Sequence, residues 1–189
     1  MCRFHQVLLI GTFLPLCWLA MMATHELGHV VAAVATGGRV ERVVLSPFTI
    51  SRTDVLPNPR PLLVAWAGPC LGVLMPLVVA VVARLSRFAW TYLLWFFAGF
   101  CCIANGSYLG VGSFGRVGDA GDLLRHGSPI GTLWAFGVAG FAAGLYLWHG
   151  LGPKFGLGQA AGKVDPRAAY VSCGLLLLTM VLELALSPL

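Results

Sequence analysis

Apolar residues fall into five long runs, Val7–Thr36, Leu62–Ala83, Phe88–Ala104, Ile130–Trp148 and Ala168–Leu186. Each is near or above the roughly 20 residues that carry a helix across a bilayer. The first run stops at Gly37-Gly38, a helix terminator. At about 1.5 Å per residue it reaches about 45 Å, more than the roughly 30 Å hydrocarbon layer. That helix must tilt, break or protrude, and Pro15 is a candidate bend.

Two connections have a different texture. From Gly38 to Pro61, Val40, Val43, Val44, Ile50 and Val55 alternate with Arg, Thr and Ser, and prolines fall at 47 and 57. That pattern predicts short strands. From Asn105 to Pro129 the chain is glycine-rich and reads as an irregular connection. The expected fold class is an all-α polytopic membrane protein with five transmembrane helices and a small strand-rich segment after the first.

Composition strengthens this picture: 58% of residues are hydrophobic and 10% charged, against about 25% charged in soluble domains. The protein is therefore expected to be multi-pass and integral to a lipid bilayer. The net charge of +5 comes from scattered arginines, which suits headgroup contact and not nucleic-acid binding. With five crossings, Lys and Arg divide evenly between the two sides, so charge sets no orientation. Six cysteines form no C-x-x-C pair and are expected to be buried packing residues. Arg3 followed by an apolar run to Ala23 has the outline of a secretory signal. Cleavage there would remove most of the helix that carries His25, so the run is expected to be retained.

That helix holds the costly residues. His25-Glu26-Leu27-Gly28-His29 is an H-E-x-x-H pattern, which places both imidazoles about one turn apart on one face. Such a pair takes two corners of a tetrahedral zinc site, and Glu26 can take a proton from the water that the metal activates. Gly28 leaves room for a neighbouring helix. Ionisable groups at membrane depth are functional by default.

A catalytic zinc needs a third protein ligand. Asp119 and Asp122, in "GDAGDLL", are set among glycines that allow close backbone approach. They would also serve as the N-cap and first turn of a short helix. Asp165 is expected to be solvated, and Glu183 to reach toward the interface.

The sequence resembles the site-2 protease family of intramembrane zinc metalloproteases. "HELGH" lies in an early apolar helix, "AGP" at Ala67-Gly68-Pro69 in the next, and "DAGD" after a third. The likeness covers Val7 to Gly127, with two further helices in residues 128–189. The single transmembrane domain, residues 1–189, then has a metalloprotease-like core in residues 1–127. The resemblance implies one Zn2+ held by His25, His29 and Asp119, with Glu26 as general base. It implies that Asn105 helps hold the substrate and leaves Asp122 beside the site or as alternative ligand. The family's usual proline between asparagine and aspartate is absent, and Gly72 stands where an asparagine often follows Gly-Pro. No PDZ or CBS domain fits in the chain.

The expected function is zinc-dependent hydrolysis of a peptide bond in or near the transmembrane segment of a membrane-protein substrate, by metal-activated water. The alternative is a non-proteolytic binding or regulatory protein of the same fold. A different class of membrane zinc protease would use Glu183 as third ligand.

Overall fold

The computed structural model describes residues 2–186. The elements run α1 (Cys2–Ala35), β1 (Val40–Val44), β2 (Arg52–Val55), α2 (Pro61–Leu85), α3 (Thr91–Gly115), α4 (Gly118–Arg125), α5 (Ile130–Trp148) and α6 (Pro166–Leu186). Every α-helix but α4 is long and apolar enough to cross a membrane, five in all among the described residues. The protein is an integral, multi-pass membrane protein. Val138, Phe141, Leu177 and Val181 are exposed on α5 and α6, a surface that suits lipid and would be a liability in water.

α1 is continuous through Pro15, and its excess length is used at its N-terminal end. Gln6 Nε2 donates to the carbonyls of Phe155 at 3.0 Å and Gly156 at 2.8 Å, within the short turns that join α5 to α6. Leu9, Phe13 and Cys17 pack with Leu93, Phe155 and Ala168 into one apolar cluster. Asp165 caps α6: its carboxylate accepts from the Arg167 amide at 2.9 Å and from Trp90 Nε1 at 2.8 Å. The Trp90 indole and the Arg167 amide hold that carboxyl below the usual carboxylate range. Cys17, Cys101 and Cys102 are buried as expected, whereas Cys70 and Cys173 are partly exposed. Cys2 lies outside the residues whose side chains are described.

The largest departure from the expected layout is the glycine-rich stretch. α3 continues through Asn105 to Gly115, and its Gly106 and Gly110 are a packing surface for α5. A Cβ at Gly140 would lie 2.7 Å from the Cys102 carbonyl oxygen, and one at Gly137 would lie 3.0 Å from that of Gly106. The two backbones therefore touch along a row of small residues, the arrangement that drives helix association in lipid, where burial of apolar surface supplies little. Glycine's low helix propensity is offset by this contact.

β1 and β2 form a two-stranded antiparallel hairpin, with Arg42 opposite Asp54, Val43 opposite Thr53 and Val44 opposite Arg52. The hairpin folds back along α1, because Ser51 and Thr53 bond to Glu26, about 14 Å along the axis from the end of that helix. Phe48 and Ile50, near its turn, are exposed. Irregular backbone at such depth is tolerated where it lines a cavity, and residues 50–56 line one.

The α3–α5 contact gives a test of sign. Gly140→Ala is expected to destabilise by about 1–3 kcal/mol, the usual cost of overpacking. Gly174→Ala on α6, with open space around it, should leave stability unchanged or raised. Thermal unfolding of both variants in detergent checks this; equal midpoints would refute the backbone contact.

Candidate metal centre

His25, Glu26 and His29 are buried, while Leu27 and Val31 on the opposite side of α1 are exposed. The buried face meets α2 through glycine. A Cβ at Gly28 would overlap the Ala67 carbonyl and lie 2.8 Å from the Gly68 Cα. A Cβ at Gly68 would overlap the His29 imidazole and lie 2.8 Å from His25 Nε2. Gly28 does leave room for a neighbouring helix, and Gly68 of "AGP" is the surface over which the two imidazoles meet.

Asp119 arrives from the other side. α3 ends at Arg116 in a left-handed conformation (φ 51°), its amide donating to the Gly112 carbonyl. Gly118 follows with φ 52°, a backbone region that suits glycine. Ala120 and Leu123 of α4 are fully buried against Leu109 and Leu133, which fixes the short helix. The Asp119 amide donates to the Tyr108 hydroxyl at 3.2 Å. The N-cap of α4 is Val117. Asp119 therefore does not cap the helix and lies in its first turn, with its carboxylate at the histidines.

His25 Nε2 is 2.7 Å and His29 Nε2 3.3 Å from Asp119 Oδ2, and the two Nε2 atoms are 3.1 Å apart. The outer ring nitrogens fix the tautomers. His29 Nδ1 donates to the Val64 carbonyl at 2.8 Å, an acceptor only. Asn105 Nδ2 donates to the Cys101 carbonyl at 2.9 Å, which turns Oδ1 toward His25 Nδ1 at 2.7 Å. Each neutral imidazole thus presents its Nε2 lone pair inward. Three electron-pair donors meet at one point, and the proton of each neutral imidazole is committed outward.

That donor set fits a divalent cation. Ligand atoms about 2.0–2.1 Å from a tetrahedral zinc are about 3.3 Å apart, close to the triangle seen here. His25, His29 and Asp119 are the one group of potential metal ligands among the described residues. Outward Nδ1 bonds to a carbonyl or amide are the usual orienting contacts of ligand histidines.

Glu26 stands beside this triangle. Its Oε1 accepts from Ser51 Oγ at 2.8 Å and its Oε2 from Thr53 Oγ1 at 2.7 Å. A cleft of about 670 Å³ contains Glu26, the three ligand candidates and strand β2. A second, apolar cavity of about 510 Å³ opens between α1 and α3, past Met21, Met22 and Val111, and also reaches His25 and Glu26.

The other sequence candidates are placed as follows. Asn105 is buried with both amide ends bonded, and it packs over Gly72. A Cβ at Gly72 would lie 2.9 Å from its amide atoms, so the glycine found in place of asparagine makes room for Asn105. Asp122 lies half-exposed in the cleft wall, its Oδ1 accepting from Arg125 Nη1 at 2.6 Å. Glu183 does not reach the interface as expected. It is buried on α6, which lies along α1, and neither carboxylate oxygen is bonded among the described residues. Sequence reasoning passed over Ser51, Thr53 and Tyr108. The Ser-x-Thr alternation in a strand was a signal for the first two; the Val64 and Cys101 carbonyls carry none.

No curated protein and no solved structure matches the chain significantly. A profile of the family described as Peptidase M50B-like matches residues 4–105. This span includes H-E-x-x-H, the Ala67-Gly68-Pro69 element that packs upon it and Asn105, which orients His25. With more than half of its length matched, the chain belongs to the Peptidase M50B-like family of the site-2 protease group.

Proposed function

We propose that the protein is a zinc-dependent endopeptidase that cuts a peptide bond in or near the membrane-spanning segment of a membrane-protein substrate. The carrying observation is the convergence of His25, His29 and Asp119 on one point with the Glu26 carboxylate beside it. His25, His29 and Asp119 would hold the ion. When bound, zinc polarises the scissile carbonyl and makes a water a stronger acid.

The chain's own groups supply the remaining steps. Glu26 accepts the proton of the attacking water and returns it to the leaving amine. Asn105 and the Val64 carbonyl keep the two imidazoles neutral and aimed inward. A helical substrate hides its peptide bonds in internal hydrogen bonds and must be unwound locally. The second edge of β2 has no strand partner among the described residues and runs along the cleft. An extended segment can add there as a third strand. The apolar cavity between α1 and α3 gives the adjoining transmembrane segment a route from the lipid.

Four substitutions test the reading. Glu26→Gln should retain the metal and lose cleavage of candidate membrane substrates in detergent, because the base lies outside the ligand triangle. If cellular function survives this change, the protein acts by binding and not by proteolysis. Asp119→Ala should lose most bound zinc and all activity. Asp122→Ala should keep zinc and lose about 10–100-fold at most, the range for groups behind the ligands. Metal analysis of the purified variants decides, and the reverse pattern would move the ligand role to Asp122. Gly68→Ala should lose zinc without any change of ligand, because the added methyl overlaps the His29 imidazole. Full metal content in that variant would show that α1 and α2 are not in contact there.

A further inference from the structure

Ser51 and Thr53 lie two residues apart, so their side chains leave the same face of the hairpin. Both hydroxyls are spent on one carboxylate: each Glu26 oxygen accepts one of them, at 2.8 and 2.7 Å. Arg52 and Asp54 leave the other face and pair with each other at 3.4 Å, exposed. Glu26 is 4% exposed, and no other hydrogen bond to its carboxylate is seen among the described residues. A buried carboxylate with two hydroxyl donors is held in orientation as well as in position. The strand that bears Thr53, and that Ser51 immediately precedes, also offers its unpaired edge to the cleft.

We propose that Ser51 and Thr53 are positioning residues that tie the base to the strand on which substrate docks. Register along β2 then selects the bond that is cut. The proposal rests on the proteolytic reading above and adds the specificity device. Pairing is discrete: a slip of one residue turns every side chain to the other face. A segment paired with β2 can therefore present its peptide bonds to Glu26 only in steps. Because base and strand are joined, movement of the hairpin carries both and keeps the step constant. Loss of the tie leaves docking intact but lets the base and the docked segment shift independently.

The test uses the full-length, zinc-loaded protein in detergent. Hydrogen exchange of the amides in residues 50–56 is measured for wild type, Ser51→Ala/Thr53→Val, Ser51→Thr/Thr53→Ser and Arg52→Ala. Loss of two hydrogen bonds should speed exchange roughly tenfold in the first variant, with the hydroxyl-retaining variant and Arg52→Ala like wild type. Kinetics use fluorogenic peptides with an apolar helix followed by a glycine-containing, unwound segment. The first variant should lose about 100-fold in kcat with KM within about twofold, and its products should spread over adjacent bonds. Ser51→Thr/Thr53→Ser should restore both rate and a single cut. A change confined to KM, or a rate loss that the hydroxyl-retaining variant does not restore, overturns the proposal. Should wild type cut no peptide while holding zinc, the proteolytic reading fails. The exchange arm then decides the tie alone, and unchanged protection in the first variant overturns it.

Discussion

The site depends on the contact of two helix backbones at Gly28 and Gly68. Without side chains at these positions, α1 and α2 approach until the His25 and His29 imidazoles lie over the Gly68 Cα. This single approach does two things. It excludes lipid from the buried face of α1, and it brings the Val64 carbonyl within reach of His29 Nδ1. The same device recurs between α3 and α5, where Gly106, Gly137 and Gly140 let the backbones meet. In lipid, where apolar burial between helices supplies little, close packing and polar contacts must hold the bundle. Glycine supplies the first and the site residues the second.

Polar groups at this depth are tolerated because nearly every one has a partner. Asn105 spends its amide on the Cys101 carbonyl and its oxygen on His25. Glu26 is satisfied by two hydroxyls from the hairpin. Among the site residues, the inward Nε2 atoms and the Asp119 carboxylate lack donors when the histidines are neutral, which is the condition a cation relieves. The site is thus closed except at the point where chemistry is proposed.

The hairpin links the two cavities. Ile50, Ser51, Glu26 and Tyr108 belong to the walls of both, so the polar cleft and the lipid-facing groove meet at Glu26. A membrane segment in the groove and an extended segment on β2 would be continuous through this point. On the proposed function, Glu26 would sit at the boundary between helical and extended parts of one bound chain.

Much of this was legible in the sequence. Apolar runs of sufficient length gave five crossings because a bilayer imposes that length, and Ile130–Trp148 coincides with α5 at both ends. H-E-x-x-H placed two imidazoles on one helical face because the spacing is local and the helix is regular. The valine, proline and serine pattern of residues 38–61 announced strands for the same reason. What the tertiary structure decided is non-local. Glycine in residues 105–115 reads locally as a loop signal, yet it is helix because a second backbone rests on it. Asp119 and Asp122 are chemically alike and one turn apart; burial of Ala120 and Leu123 turns the first toward the histidines and leaves the second to Arg125. Ser51 and Thr53 became partners of Glu26 only when the hairpin folded back along α1. Sequence fixes residue type and period, whereas which face meets which neighbour depends on packing between segments far apart in the chain.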